Sequence, residues 1–387
     1  MAISLSSTFY TNGDFRLDAL IISNIAIDAL LRQNQSYPDN NLAAFTHYCF
    51  MKNQYHTMNH IKSLAMQDLD MQDLDMQINR SYVSNYQLRY LLAKSMCCLN
   101  GNRFDCIGIY DKLVDKPRPK NVSPMEYYKQ QLIANLPDPD DVFSLSIEKL
   151  KALFNYFSIE IDDSNVLTVK RIDAKYDFDH IEPKVLSQIE FMPGYMKADD
   201  PIKVDFANKN IGGGVLTHGC CQEEILFLSC PELIGLMPLI DTLAPTEAVV
   251  VQNVIQYNII EGYGFDLRFA GSNTNRINQT IIIMDAIDYR SNYKDQYKLE
   301  NKLTELQKAI NAFSGVESAI PISTGHWGCG AFKGDKLLKF KIQWLAASIA
   351  NKQLIYYDGF ANSHYIKEFY NANKDKTTIE LYQSIVE

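Results

Sequence analysis

The chain has 387 residues, 47% hydrophobic and 21% charged, with 37 Lys+Arg against 46 Asp+Glu and a formal net charge of −9. This is ordinary globular composition, which excludes global disorder, a collagen-like repeat and a coiled coil, and the length fits two domains at about 150 residues each. A net-acidic chain lacks the bulk positive field that draws proteins to nucleic acid, so direct DNA binding is not expected, and a polyanionic ligand would be held by backbone N–H groups at glycine loops and helix starts.

The first third reads mostly as helix, with apolar residues at helical spacing over Leu17 to Leu31 and again over Tyr82 to Leu99, and few strand signals. Between them a pentapeptide, MQDLD, occurs at Met66 to Asp70 and again at Met71 to Asp75, and is read as an acidic helix or a loop. Prolines in Asp115 to Ser123 and Leu136 to Asp141 mark loops and place a boundary near 142. The expected organisation is a helical accessory domain over 1–142 and an α/β domain over 143–387. A helix is expected at Ile147 to Phe157. From Ile202 onward compact apolar runs of strand length (IKVDFA, AVVVQNVIQY, QTIIIMDAIDY, ESAIPIS, QLIYYDG) alternate with helical stretches at Gln222 to Leu228, Gln296 to Phe313 and Lys336 to Ala350. Such alternation indicates a sheet covered on both faces, a three-layer α/β/α sandwich whose ligand sits beyond the carboxyl ends of the strands.

Two glycine-rich loops fall at such strand ends. In the first, VDFANKNIGGGVLTHGCCQEEILFL, a strand runs into Gly212, Gly213 and Gly214 and then into a helix opening with Gln222, Glu223 and Glu224. Glycines let backbone approach a ligand closely. Adjacent glutamates on a helix point about 100° apart, so one is expected to face a substrate atom and the other to support it. Complementing the helix dipole is the bland alternative. The second loop, ISTGHWGCGAFKGD, carries Gly325, Gly328, Gly330 and Gly334, which leave N–H groups able to cradle a diphosphate without a lysine. It is neither a Walker A nor a GxGxxG fingerprint. Trp327 and Phe332 also fit a packing role beneath it.

Other chemistries are weaker. Of the eight cysteines, Cys97 and Cys98, and Cys220 and Cys221, are sequence neighbours, and no CxxC occurs, which supports neither a disulfide framework nor a zinc site. A reducing intracellular compartment, cytoplasmic or nuclear, is expected. The start has no basic region ahead of an apolar core, and no run reaches the length of a membrane span. Cys220 and Cys221 beside His218 suggest a thiol nucleophile less than a buried free cysteine. His326 and Cys329 lack metal-ligand partners at recognisable spacing, and His56 and His60 lack the Glu of an HExxH motif.

Taken together, VDFANKNIGGGVLTHGCCQEE resembles the signature of poly(ADP-ribose) glycohydrolases: a triple glycine, a seven-residue spacer, then Gln-Glu-Glu. STGHWGCGAFKGD resembles the same family's diphosphate loop, and the likeness runs from about Ile147 to Phe360. It implies a macrodomain fold with a helical accessory region. It also implies hydrolysis, without metal or cofactor, of the ribose–ribose O-glycosidic bonds of poly(ADP-ribose) on modified proteins. The enzyme would be a monomer, away from membranes, serving polymer catabolism in the DNA damage response. By position Glu224 is similar to the family's catalytic acid, protonating the departing ribose oxygen and then activating water against an oxocarbenium-like centre. Glu223 would position the leaving ribose, Asn208 would bond the distal ribose, and Asp205 would help fix the glycine loop.

The resemblance further implies ligand contacts from Gly212, Gly213, Gly214 and Gln222, and from Thr324, Gly325, Trp327, Gly328, Cys329, Gly330, Ala331 and Phe332. Tyr263 matches a ligand-covering tyrosine. Ile189 and Glu190 look like an adenine-edge pair, although the segment after them, FMPGYMKADDP, is longer. The adenine-stacking aromatic falls in YYDGF, with Phe360 preferred to Tyr357. Lys333 departs from the family's usual small residue. Alternatives are a non-catalytic ADP-ribose reader, against which the intact Glu223 and Glu224 argue, and a mono-ADP-ribosyl-protein hydrolase.

Overall fold

The computed structural model describes residues 60–61, 63–67, 69, 79–96, 102–104, 106, 109, 139–162, 164–240, 242–359 and 364–387. The expected helix at 17–31, most of the tandem pentapeptide, the proline-marked loop at 115–123 and Phe360 lie outside them. Strand β1 (Asn79–Ser84) leads directly into helix α1 (Asn85–Met96), and α2 spans Pro139–Ser158. Then follow β2 (Val166–Ile172), β3 (Ile189–Met192), β4 (Ile202–Ala207), α3 (Gln222–Ser229) and α4 (Glu232–Leu236). Next are β5 (Ala248–Ile255), the ribbon β6 (Asn258–Glu261) and β7 (Arg268–Ser272), and β8 (Asn278–Asp285). The chain ends with α5 (Leu299–Ser314), β9 (Ile322–Thr324), α6 (Lys336–Ile349), β10 (Leu354–Tyr357), α7 (His364–Asn373) and α8 (Thr378–Val386).

Eight of these strands form one sheet in the order β1-β2-β5-β8-β4-β9-β10-β3. The pairs from β8 to β3 are parallel and those from β1 to β8 antiparallel. Alternate residues of the central strands face opposite cores, because side chains of a strand alternate in direction. Val249, Val251, Ile281 and Ile283 pack with Leu88, Leu92, Leu150, Phe154, Phe227 and Leu233 of α1 to α4. Val250, Ile282 and Met284 pack with Leu306, Phe313, Phe340, Trp344, Ile366 and Leu381 of α5 to α8. The three-layer α/β/α arrangement expected from the apolar runs is the one observed, with a mixed sheet.

Two differences from the sequence expectation are local. The helix expected from Tyr82 begins at Asn85, because Ser84 and Gln87 form a reciprocal cap: Gln87 N–H donates to Ser84 Oγ at 3.3 Å, and Ser84 N–H donates to Gln87 Oε1 at 2.9 Å. Tyr82 instead lies on β1, a polar edge strand whose inward residue is the fully buried Val83. The proline-marked stretch at 136–141 overlaps α2, which spans Pro139–Ser158. The boundary expected at 142 therefore falls inside α2, and α1 and α2 share one core with the sheet.

Candidate functional site

Lys203 of β4 is paired in parallel register with Ser323 of β9, so the loops leaving both strands emerge side by side at the carboxyl end of the sheet. Gln222, at the first position of α3, ties the first loop to its strand: its Oε1 accepts from Phe206 N–H at 2.7 Å and its Nε2 donates to the Val204 carbonyl at 3.2 Å. Glu223 then accepts from Asn208 N–H at 3.0 Å and from Gly212 N–H at 2.7 Å. Glu224 accepts from Gly214 N–H at 2.9 Å and reaches back to Cys221 N–H at 2.8 Å. Both acids are nearly buried.

The expectation that the two glutamates diverge is corrected here. At the start of a helix the free amides of the preceding loop draw both side chains back, and they converge on Gly213. Gly213 has φ of 49°, and a methyl built on it would lie 2.5 Å from Glu223 Oε2 and 2.5 Å from Glu224 Oε1. Only glycine fits there at little cost.

Asp205 of β4 lies near enough to both glutamates to interact with their charges. It is fully buried, and neither carboxylate oxygen has a hydrogen-bond partner among the described residues. Burial, reinforced by the charge of Glu224, pushes its carboxyl well above the ordinary range. Burial and the charges of Asp205 and Glu224 also raise Glu223, while its two amide donors pull it back. Amide donors favour the ionised form of Glu223, and Asp205 has no such donor. Asn208 Oδ1 accepts from Asn210 N–H at 3.0 Å, holding the turn.

In the second loop, Trp327, Cys329, Lys333 and Gly334 spend their amides on loop carbonyls. The amides of Gly328, Gly330, Ala331 and Phe332 take no partner among the described residues, and Gly330 and Ala331 are exposed at the tip. Amides left unpartnered in a glycine-rich loop are available to an anion. Gly325 packs so closely on the Tyr357 carbonyl that a methyl there would lie 2.6 Å from it. Thr324 is fully buried and donates to Gln343 Oε1 at 2.6 Å. Trp327 is likewise fully buried, its Nε1–H donating to the Met284 carbonyl at 3.0 Å beneath the loop. Lys339 Nζ lies 4.2 Å from the centre of the Trp327 ring and pairs with Glu305. His326 accepts from the Tyr356 hydroxyl at 3.0 Å and donates to the Asp358 carbonyl at 2.9 Å, anchoring the loop to the end of β10. Burial holds its pKa down, in keeping with a neutral ring. Cys329 is pushed up to about 12 by burial and donates to the Trp327 carbonyl at 3.3 Å.

Tyr263, after β6, stands beside the opening of α3. Its phenol hydrogen-bonds the Cys221 thiol, and its ring stacks on Tyr195 with centroids 5.9 Å apart and planes 3° apart. Tyr195 had no signal of its own in the sequence; it sits in the long segment after β3. Tyr357 is buried, its hydroxyl donating to Asp200 Oδ1 at 3.2 Å, which occupies it in the core.

Ile189 and Glu190 are not brought to the two loops. They pair with Leu354 and Ile355 at the amino ends of β3 and β10, where both line a cavity of about 500 Å³ with Pro321, Tyr370 and Lys374. Cys220 is pushed up to about 11 by burial, in line with an inert thiol. No group of His, Cys, Asp or Glu able to hold a metal occurs among the described residues. No described helix is long and apolar enough to cross a membrane.

Residues 182–365, which contain both loops and the strands that carry them, match the family model described as poly(ADP-ribose) glycohydrolase (PARG), macro domain fold. The α/β half of this chain is similar to the poly(ADP-ribose) glycohydrolases. Poly(ADP-ribose) glycohydrolase 1 of Caenorhabditis elegans is 36% identical over 242 residues, which are 54% of this chain and 31% of that protein. Poly(ADP-ribose) glycohydrolase 2 of the same organism is 31% identical over 243 residues, 54% of this chain and 50% of that protein. The chain thus spans about a third to a half of the length of these curated relatives. Among solved structures, poly(ADP-ribose) glycohydrolase from Thermomonospora curvata is 12% identical with a TM-score of 0.36, covering 70% of this chain and 98% of that one.

Lys149 of α2 is the residue that sequence reasoning missed. Its fully buried ammonium donates to the carbonyls of Gly214, Val215 and Thr217 at 3.0, 3.0 and 2.8 Å. A lysine on the apolar face of a helix, between the buried Leu145 and Leu153, was the available signal.

Proposed function

We propose that this chain hydrolyses the ribose–ribose O-glycosidic bonds of poly(ADP-ribose) on modified proteins and releases ADP-ribose. The observation that carries the proposal is the convergence of the Glu223 and Glu224 carboxylates on Gly213, within reach of the charge of the buried Asp205. An ADP-ribose reader needs no such acid cluster. Similarity to the glycohydrolase family over the same segment supports the substrate class.

Glu224 acts as general acid and base. It delivers a proton to the departing ribose oxygen as the C–O bond breaks, and its carboxylate then takes a proton from the water that attacks the oxocarbenium-like centre. Glu223, fixed by two amides, hydrogen-bonds the ribose of the leaving unit, and Asn208 the distal ribose. The unspent amides of Gly328, Gly330, Ala331 and Phe332 receive the diphosphate, and Tyr263 closes over the ligand. Phe360 provides the adenine stack. The enzyme works as a monomer in the cytoplasm or nucleus, with residues 1–142 an accessory helical part whose last residues already begin α2.

The test is ADP-ribose release from purified poly(ADP-ribose) by the unsubstituted chain and by Glu224→Gln. The substitution keeps size and hydrogen bonding but removes the titrating proton, so turnover should fall by about 10²–10⁴-fold while calorimetric affinity for ADP-ribose is retained. A variant with near-normal turnover would overturn the assignment.

A further inference from the structure

Lys149 meets the glycine turn through its carbonyls. Each of its three N–H donors meets one carbonyl, from Gly214, Val215 and Thr217. The same short turn donates its amides to the acids, Gly214 N–H to Glu224 Oε1 and Gly212 N–H to Glu223 Oε1. Within the turn, Thr217 and Gly219 N–H both close onto the Gly214 carbonyl at 2.9 Å. Carbonyls that converge on one point repel each other unless a cation sits there, and a fully buried ammonium is stable only where its donors are all paired.

We infer that Lys149 is a positioning residue for the proposed glycohydrolase reaction: its ammonium clamps the 214–217 carbonyls and thereby aims the glycine-turn amides at Glu223 and Glu224. The inference rests on the glycohydrolase reading of this site. The titratable groups facing the ammonium are Glu224 of α3, Cys220 ahead of it and the buried Cys106, and Glu224 is the strongest of them. Burial lowers the pKa of Lys149 to about 8 against these neighbours. The clamp is charged below that pH and loses its proton above it.

The experiment measures ADP-ribose release from poly(ADP-ribose) between pH 6 and pH 10 for the unsubstituted chain, Lys149→Met and Lys149→Arg. The unsubstituted chain should lose kcat on an alkaline limb near pH 8. K149M should lose about 10²-fold in kcat with KM little changed, as expected when reacting groups shift by about 1 Å. K149R, whose guanidinium keeps its proton, should recover part of kcat and remove the limb. A flat profile to pH 10 in the unsubstituted chain, or K149M with the unsubstituted kcat and profile, would overturn the inference. Should the unsubstituted chain bind ADP-ribose and release none from polymer, the glycohydrolase reading fails instead, and calorimetry then decides the clamp. K149M should weaken ADP-ribose binding more than K149R does, and equal affinities in all three proteins would overturn it.

Discussion

Adding one methyl at Gly213 perturbs both acids at once. In Gly213→Ala the new Cβ would lie 2.5 Å from an oxygen of each glutamate, whereas ordinary contact begins at 3.4 Å, so each carboxylate must retreat by about 0.9 Å or the turn must open. A displacement of about 1 Å in reacting groups costs about 10²-fold in rate, or about 2.7 kcal/mol of transition-state stabilisation. The two shifts do not add, because both acids hang from the same turn. Independently, φ of 49° is a left-handed conformation that costs a non-glycine residue about 1–2 kcal/mol, enough to lower the melting temperature by a few degrees without unfolding the chain. The assay is kcat/KM for ADP-ribose release from poly(ADP-ribose), run beside thermal unfolding. An alanine variant with unsubstituted turnover and an unchanged melting temperature would refute the convergence of the two acids on this glycine.

Two further outcomes concern stability. Glu232 of α4 is fully buried, accepts from the Tyr257 hydroxyl at 2.6 Å, and is raised from 4.5 to about 7, chiefly by burial. Its folded-state pKa lies above the unfolded one, so its stabilising contribution is complete below pH 4.5 and is lost as the pH rises through about 7, a difference of about 3 kcal/mol. Glu232→Gln should flatten that part of the urea-midpoint dependence between pH 5 and pH 8; an unchanged slope would show that other groups produce it. Trp327→Phe keeps a ring beneath the second glycine loop but leaves the Met284 carbonyl without the indole donor, a loss of about 1–3 kcal/mol. Unfolding should register that loss while ADP-ribose affinity stays unchanged, and a large drop in affinity with normal stability would make Trp327 a ligand contact rather than a support.

Where the chemistry is local, the amino-acid sequence makes it legible. The run AVVVQNVI reads as a strand covered on both faces, and β5 does bury Val249 and Val250 against opposite cores. The cap that starts α1 is also legible, as Ser84 and Gln87 three residues apart, although helical periodicity alone sets the start at Tyr82. β1 escapes notice because an edge strand buries only alternate residues, and the alternation in Asn79–Ser84 is carried by Val83 among polar neighbours. The two glycine loops and the Gln-Glu-Glu start of α3 are visible as motifs. That both glutamates serve one point is not, since helix geometry by itself sends neighbouring side chains apart.

The sequence by itself determined the central strands β4, β5, β8 and β10, the helices α3, α5 and α6, and which two loops carry the glycines and acids, because these follow from residues within about four positions of each other. Only the tertiary structure decided what meets what. The order β8-β4-β9-β10 sets the two loops side by side and buries Asp205 within reach of the charge of Glu224. It also leaves Ile189 and Glu190 at the opposite end of the sheet, and α2 delivers Lys149 to carbonyls more than sixty residues away. Contacts of that separation depend on which strands become neighbours, a choice made by the burial of whole faces rather than by any local pattern.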